Sequence, residues 1–524
     1  TRSIVPRASS KVLALTLVAF SLIAQTPAPA MPVAQILARH IAALQALHLH
    51  EPKTHETTGT IDGLGLHGIF HEWQDGDKQR RDQSLGLRTQ SVLRVGNRLW
   101  IQNGTGEVRE LRGLVARRQV TDDFIDTAQF ASHPEDVSYI DRGTLPDGRS
   151  VYYLRIKPPK GETYQIAVDA KSFYIDQKSY IEGDAPATST YDDYHVVDGM
   201  LLPYLEVDSS GDRRYDITTH VGNVTVNEPI AADTFAPLAP FTVSNTTPVT
   251  VPLIEREGLL FVDITMQGKP FRFLLDSGAQ GVTFDPRVAK ALNLKPQGSL
   301  EIRGAERVAA QGIVEAPEIH IAGATLPQRI ASVIDLGSVV TATDIDGILG
   351  YPLFAAAELR LDPDAHTLTI AKPGTLAQVG AKIDLDTDRQ LPEVTASAGS
   401  AQARFVIDTG NANEVLLYNS FLQAHPGVVT VAGHSFVANR GVGGSTAAVG
   451  TILDQLGIGP FHLYNLYANA ILSTAGAFAD RDGGGNIGYG VLRNFVATFD
   501  LANRALYLQK ARKFDDGRYR NIGP

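Results

Sequence analysis

The sequence predicts a mainly β protein: an N-terminal helix, then a long curved antiparallel sheet, then two successive β-rich units of similar plan. Three observations lead there. Apolar residues recur at helical spacing near the start; from about Thr58 the period changes to two; and beyond Thr247 a set of short segments occurs twice in the same order. At 524 residues the chain is too long for one core, and a prior of roughly 100 to 200 residues per domain predicts about three units.

Taken in order, Arg2, Arg7 and Lys11 precede a mostly apolar stretch from Val12 to Ala24, followed by Ala28-Pro29-Ala30. A basic start, a short apolar run and a small-x-small site read as an export signal over 1–30. The run is shorter than the ~20 residues a membrane span needs, and nothing later is long and apolar enough, so the mature chain is expected to be soluble, secreted or periplasmic. Val33, Ile36, Leu37, Ile41, Leu44 and Leu47 then predict an amphipathic helix over 32–48. Leu64–Trp73, Ser91–Gln102, Val151–Ile156, Tyr164–Asp169, Phe173–Ile181 and Arg213–Val224 alternate apolar with polar residues. Asn103-Gly104, Asp147-Gly148 and Asp198-Gly199 supply turns. The proline-rich run from Asn227 to Pro240 marks the linker.

The repeat follows. Its first copy, over 247–373, contains Gly268–Gly278, ending Leu274-Leu275-Asp276-Ser277-Gly278, then Asp346–Phe354, Leu359–Asp362 and Thr367–Ile370. The second, over 374–513, contains Ala401–Gly410, ending Val406-Ile407-Asp408-Thr409-Gly410, then Gly484–Leu492, Ala497–Asp500 and Ala505–Leu508. Asp276 lies 74 residues before Gly350 and Asp408 lies 80 before Gly488. Equal order at near-equal spacing argues for duplication.

An apolar strand delivers each aspartate to its end, the glycine lets the backbone fold back so that N–H groups face the carboxylate, and the neighbouring hydroxyl can bond across to the opposite loop. Two carboxylates held together cannot both ionise; they share a proton, so one serves as base and the other as acid. Such a pair can activate a water against a peptide carbonyl with neither metal nor organic cofactor.

On these residues both copies resemble retropepsin-type aspartic protease lobes, in which an Asp-Thr/Ser-Gly loop is followed by a flap hairpin and then an apolar-apolar-Gly segment behind the loop. Ile348-Leu349-Gly350 meets that pattern; Asn486-Ile487-Gly488 departs from it, because Asn486 replaces an apolar residue. Flaps are expected near 303–312 and 441–445. The resemblance implies closed β-barrel lobes, Asp276 and Asp408 as the catalytic pair, Ser277 and Thr409 as bridging hydroxyls, and Gly278 and Gly410 as turn formers. It implies an aspartic endopeptidase acting on proteins or peptides, a monomer in which two lobes form one site. Region 31–240 resembles the curved half-barrel of LolA- and LolB-type periplasmic lipoprotein carriers, through its strand rhythm and phrases such as Trp100–Gly106 and Tyr194–Pro203.

Two rivals follow from the same residues: a protease-fold protein with little or no activity that binds lipid, lipoprotein or peptide, and a dimer in which each lobe pairs with its twin. A net charge of −10 without clustered Lys and Arg argues against nucleic acid. The absence of cysteine excludes disulfides, thiolate catalysis and a lipidated-cysteine anchor. His67 and His71, four apart in a strand-like pattern, read as surface histidines rather than zinc ligands. Asn103, Asn223 and Asn245 head glycosylation-type tripeptides.

Overall fold

The protein is described from a computed structural model, which covers residues 31–50, 52–182, 185–303, 308–327, 330–338, 345–430, 436–441, 444–473, 478, 480 and 482–520. The expected export signal lies outside the described residues. The chain is mainly β, and among the described residues no helix is long and apolar enough to cross a membrane.

The first thirteen strands form one antiparallel half-barrel sheet built of two meanders, Thr54–Glu110 and Val137–Val226, joined where the first strand, Thr54–Gly63, pairs with the last, Ile217–Val226. Period-two patterning specifies these strands because one face must be buried and a one-residue slip would invert it. The buried face receives the helix Val33–Gln45 through Ile36 and Leu37, and His40 is fixed there by a 2.7 Å hydrogen bond with the Phe173 carbonyl. The expected strand Ser91–Gln102 is two strands, Arg88–Val95 and Arg98–Asn103, turned at Gly96-Asn97 with Gly96 at φ +59°. The end of the expected strand Arg213–Val224 also changes, because Arg213–Tyr215 forms a 3₁₀ turn and pairing starts at Ile217.

A second helix, Gly113–Asp126, lies on the same face of this sheet and has no counterpart in the sequence reading. It buries Phe124 and Ile125 in the cluster that holds the first helix, and ion pairs flank that contact: Asp123 accepts both Nη groups of Arg94 at 2.7 and 2.8 Å, and Lys178 donates to Asp122 and Asp126 at 3.1 and 3.0 Å. Sequence periodicity is blind to such partners, which become neighbours only after the sheet curls.

The expected linker forms one 3₁₀ turn, Ala232–Phe235, and is otherwise irregular chain packed along the N-terminal sheet. Thr234 and Ala239 carbonyls accept from Arg80 at 2.9 Å and Gln102 at 2.6 Å, and the Phe241 N–H donates to the Gly106 carbonyl at 2.8 Å. Gly106 is required at this junction: φ is +79°, and a Cβ would stand 1.9 Å from the Phe241 ring. Tyr351 donates to Glu107 across the same junction at 2.5 Å.

Beyond the linker, two sheets repeat one strand plan. In the first, Lys269–Leu275 pairs in parallel with Gly347–Leu349, which pairs antiparallel with Val282–Phe284. In the second, Ala401–Asp408, Gly483–Gly488 and Val415–Leu417 pair in the same senses. The second sheet closes on itself through pairing of Glu393–Ala398 with Gly444–Ile458; no closing pair is present in the first among the described residues. Antiparallel strand pairs stand at both expected flap positions: Ser299–Arg303 with Val308–Glu315, and Phe436–Gly441 with Gly444–Ile458; residues 304–307 and 442–443 lie outside the described residues.

A third sheet of six strands is shared. Glu358–Asp362 from the first unit pairs antiparallel with Phe495–Asp500 from the second, in the register Leu359–Phe499, Arg360–Thr498, Leu361–Ala497. In the sequence repeat Arg360 corresponds to Thr498 and Leu359 to Ala497, so this register maps each strand onto the other by a half-turn about the Arg360–Thr498 pair. That is the self-complementary geometry of a twofold interface, here within one chain. Phe354 meets Phe499 beneath it, ring centroids 5.1 Å apart and edge to face. Because Phe499 is fully buried in the sheet common to both units, Phe499→Ala is expected to lower the unfolding free energy by about 3–5 kcal/mol. Both units should melt together at the lower denaturant midpoint, read by far-ultraviolet dichroism and by amide hydrogen exchange within each unit.

Candidate active site

The two Asp-Ser/Thr-Gly loops meet on the axis defined by the shared sheet. Each aspartate ends a buried apolar strand, Phe273, Leu274 and Leu275 on one side, Phe405, Val406 and Ile407 on the other. The parallel neighbour strand prolongs each support: the Asp276 N–H donates to Leu349 at 3.0 Å, and Asp408 stands opposite Gly488 in the second ladder.

Four buried hydrogen bonds cross between the loops. Ser277 N–H donates to Thr409 Oγ1 at 3.0 Å, and Thr409 N–H to Ser277 Oγ at 3.0 Å. Ser277 Oγ donates to the Ile407 carbonyl at 2.5 Å and Thr409 Oγ1 to the Leu275 carbonyl at 2.8 Å. Each hydroxyl thus accepts from the opposite loop and donates to the strand behind it. Both residues are fully buried, so every one of these groups would be orphaned by separation of the loops.

The glycines let the carboxyls approach. A Cβ on Gly410 would lie 2.2 Å from Cγ of Asp276, and one on Gly278 would lie 2.6 Å from Cγ of Asp408. Each aspartate therefore faces the glycine of the other loop, while its own glycine N–H donates to it: Gly278 to Asp276 Oδ1 at 2.9 Å and Gly410 to Asp408 Oδ1 at 3.0 Å. The two carboxyl groups lie close enough for each to bias the other's ionisation.

Their electrostatics are unequal. Burial pushes Asp276 well above the ordinary carboxylate range, and the charge of Asp408 and the hydrogen bond to it act in the same direction. Burial also raises Asp408, but Asn486, the Asp276 hydroxyl and the N–H groups of Gly410 and Asn411 stabilise its anion. The amide of Asn486 and the N–H of Gly410 thus favour the anion on Asp408.

Asn486, which the sequence marks as a departure from an apolar pattern, is no packing defect. It is buried, donates from Nδ2 to Asp408 Oδ2 at 2.6 Å, and accepts from the Tyr418 hydroxyl at 2.6 Å. Its counterpart Ile348 packs instead with Phe261, Leu274, Leu336 and Ile345. Tyr418 was not singled out by the sequence; an asparagine at an apolar position two residues before Gly488 is the signal that pointed toward it.

Other candidates stay apart. His67 pairs with Asp62 at 2.7 Å, while His71 bonds to Glu56 and stacks on Trp73 with centroids 3.6 Å apart. Among the described residues the grouping with three potential metal ligands is His133, Glu135 and Asp136, near the surface of the N-terminal module and containing no candidate site residue.

Comparison with known proteins bears on part of the chain. A family model described as aspartyl protease matches residues 262–353, which include Asp276 and its supporting segment. No curated protein matches. Solved structures with similarity include a putative outer membrane lipoprotein-sorting protein domain from Vibrio parahaemolyticus, 9% identical over 39% of this chain and 95% of that one, with a TM-score of 0.27. Others are a LolA superfamily protein from Nitrosomonas europaea, 13% identical over 40% and 99%, TM-score 0.26, and a DUF1329 family protein from Desulfovibrio piger, 10% identical over 39% and 97%, TM-score 0.27.

Thr409→Ala removes one acceptor and one donor from the crossed lattice and leaves the Ser277 N–H and Leu275 carbonyl buried without partners. At about 1–3 kcal/mol for each orphaned group, it should cost roughly 2–6 kcal/mol in equilibrium denaturation, whereas Thr409→Ser, which keeps the hydroxyl, should cost under about 1.5 kcal/mol. The stretch 262–353 is thus similar to the aspartyl protease family, and its catalytic-type loop is locked to an equivalent loop outside the matched residues.

Proposed function

We propose that the protein is an aspartic endopeptidase whose single site is shared by Asp276 and Asp408 of one chain, a pseudo-dimer needing no second molecule. The observation that carries this reading is the reciprocal approach of the loops, each carboxyl against the other loop's glycine. Ser277 and Thr409 hold the loops in register; Gly278 and Gly410 give the carboxyls room.

In the proposed reaction a water between the carboxyls attacks the peptide carbonyl carbon. Asp408, as the anion, takes a proton from that water, while Asp276 gives its proton to the carbonyl oxygen, forming a neutral gem-diol. The C–N bond then breaks as Asp408 passes its proton to the departing nitrogen and Asp276 recovers one from a diol hydroxyl. Atoms and charge balance, and the pair returns to its starting state. No covalent enzyme intermediate arises.

The N-terminal module is proposed to present substrate, and residues 1–30 to direct export. A charged stretch on the sheet's helix-bearing face, with Glu72, Arg81, Lys178 and Glu206, adjoins the small apolar cluster Ile61, Phe70 and Leu85. Such a surface suits polypeptide better than an acyl chain, since burying unpaired charge against hydrocarbon is costly.

Asp276→Asn and Asp408→Asn should each reduce kcat/KM toward an unfolded protein substrate by at least ~10²-fold, the scale of a lost general acid or base, without loss of fold. An equimolar mixture of the two variants should recover nothing if both carboxyls come from one chain; recovery on mixing, or retention by either variant as a dimer, would favour sites formed between chains. Activity of the unmutated protein should follow a bell in pH. It rises as the pair loses its first proton and falls as it loses the second, and the raised Asp276 places that second limb above the ordinary carboxylate value of about 4.

A further inference from the structure

We infer that Asn486, held by Tyr418, is a positioning residue that makes the carboxyl pair asymmetric and assigns the anion to Asp408. This deepens the proposed protease reading and rests on it for its catalytic meaning, though not for its physical content.

The frame of the site is close to twofold, so its two aspartates would be nearly equivalent if supported alike. Ladder register identifies where support differs. Ile348 stands opposite Leu274 in the first unit, and Asn486 opposite Val406 in the second; Thr283 and Leu416 flank them on the third strand. At this position the first unit offers a hydrocarbon and the second an amide, whose Nδ2 reaches Asp408 Oδ2 at 2.6 Å.

An amide can present either face, and only its NH₂ side favours a carboxylate. The Tyr418 hydroxyl fixes the choice by donating to Asn486 Oδ1 at 2.6 Å, which orients Nδ2 toward Asp408. Tyr418 follows the strand Val415–Leu417 at the place where the first unit has Asp285, a residue that accepts from Arg287 and Leu336 instead. Both members of the pair are therefore particular to the second unit. A buried hydroxyl, amide and carboxylate in line leave no hydrogen-bonding capacity wasted on the path, and burial strengthens each link.

Across the site lies Asp276. Behind Tyr418 lie Asp480, Glu393 and Arg389, with Arg389 bonded to both acids, and Arg404 is 3.7 Å from Glu393. This outer group is nearly self-neutralising, and Tyr418 separates it from Asp408. Burial, followed by the charges of Asp480 and Glu393, raises the Tyr418 phenol, keeping it a donor throughout the working range. The local control over Asp408 is therefore the Asn486 amide.

Donation to the Asp408 anion lowers the first ionisation of the pair; the second, which removes the proton from Asp276, keeps the same Asn486 contact before and after. Asn486→Leu should shift the acid limb of kcat/KM upward by about one pH unit, the scale of one hydrogen bond to a buried charge, and leave the alkaline limb nearly in place. Tyr418→Phe should move the acid limb in the same direction by less, since the amide remains but loses its orientation. KM should change less than kcat.

Thermal midpoints of the full-length unmutated and N486L proteins against pH read the same ionisation without turnover. Folded unmutated protein binds fewer protons than N486L between the two Asp408 pKa values, so its advantage must widen as pH rises through that window. A widening gap with no peptidase activity in either protein upholds the Asn486 assignment and overturns the protease reading. Activity in both proteins with coincident acid limbs and a constant gap overturns the Asn486 assignment and leaves the protease reading standing. Should N486L fail to fold, the Y418F acid limb decides: an upward shift upholds the assignment and an unmoved limb overturns it.

Discussion

Everything at this site depends on holding two carboxyl groups closer than their charges would choose. At ~4 Å and an effective dielectric of ~20, two full negative charges repel by roughly 4 kcal/mol. A net ~1 kcal/mol for each of the four crossed bonds of Ser277 and Thr409 amounts to about the same figure. The lattice alone would leave the loops near balance if both acids ionised. Two further features tip it: one retained proton removes most of the repulsion, and the shared six-stranded sheet makes separation of the loops inseparable from opening the core around Phe354 and Phe499.

The shared sheet also sets a constraint that the proposed chemistry would have to break. Its half-turn register gives the aspartates matching positions, whereas hydrolysis needs one acid and one base at each instant. In a symmetric homodimer that difference can arise only from the bound water and substrate. A single chain with two copies is free to build it in, and here the copies diverge one strand away from the carboxyls, where Ile348 of the first corresponds to Asn486 of the second and Asp285 to Tyr418. The loops themselves stay alike because each glycine must clear the other's carboxyl and each hydroxyl must fit the other's backbone.

How much of this was legible in the sequence follows from the range of each interaction. The aspartate loops and their apolar strands are local patterns, and the repeat of Gly350 and Gly488 exposed their supports; the half-barrel strands were readable for the same reason, as period two spans only a few residues. The turn at Gly96-Asn97 was missed because the apolar alternation runs through it, and the helix Gly113–Asp126 because it buries only a few apolar residues near its end, Phe124 and Ile125, and its ionic partners Arg94 and Lys178 are distant in sequence. Asn486 illustrates the limit most clearly: the sequence marked it as an exception, yet whether a buried amide is a flaw or a tool depends on what lies within 3 Å of it. Its partners sit 68 and 78 residues away.

The junction with the N-terminal module shows why the two parts cannot be treated as separable. Tyr351 directly follows Gly350, the glycine behind Asp276, and its fully buried hydroxyl finds its acceptor in Glu107 of the other module. Burial raises the Glu107 carboxyl, and the Tyr351 hydroxyl and the charge of Arg109 oppose that shift. Arg109 in turn donates to the Asp388 carbonyl at the start of the second unit. A chain beginning after the linker would uncover Tyr351 and Asp388 together, and each sits in a segment that supports one of the two units. The module's edge strand therefore completes the wall on which the first catalytic-type loop rests, and a role in presenting substrate would be exercised through a surface already continuous with that support.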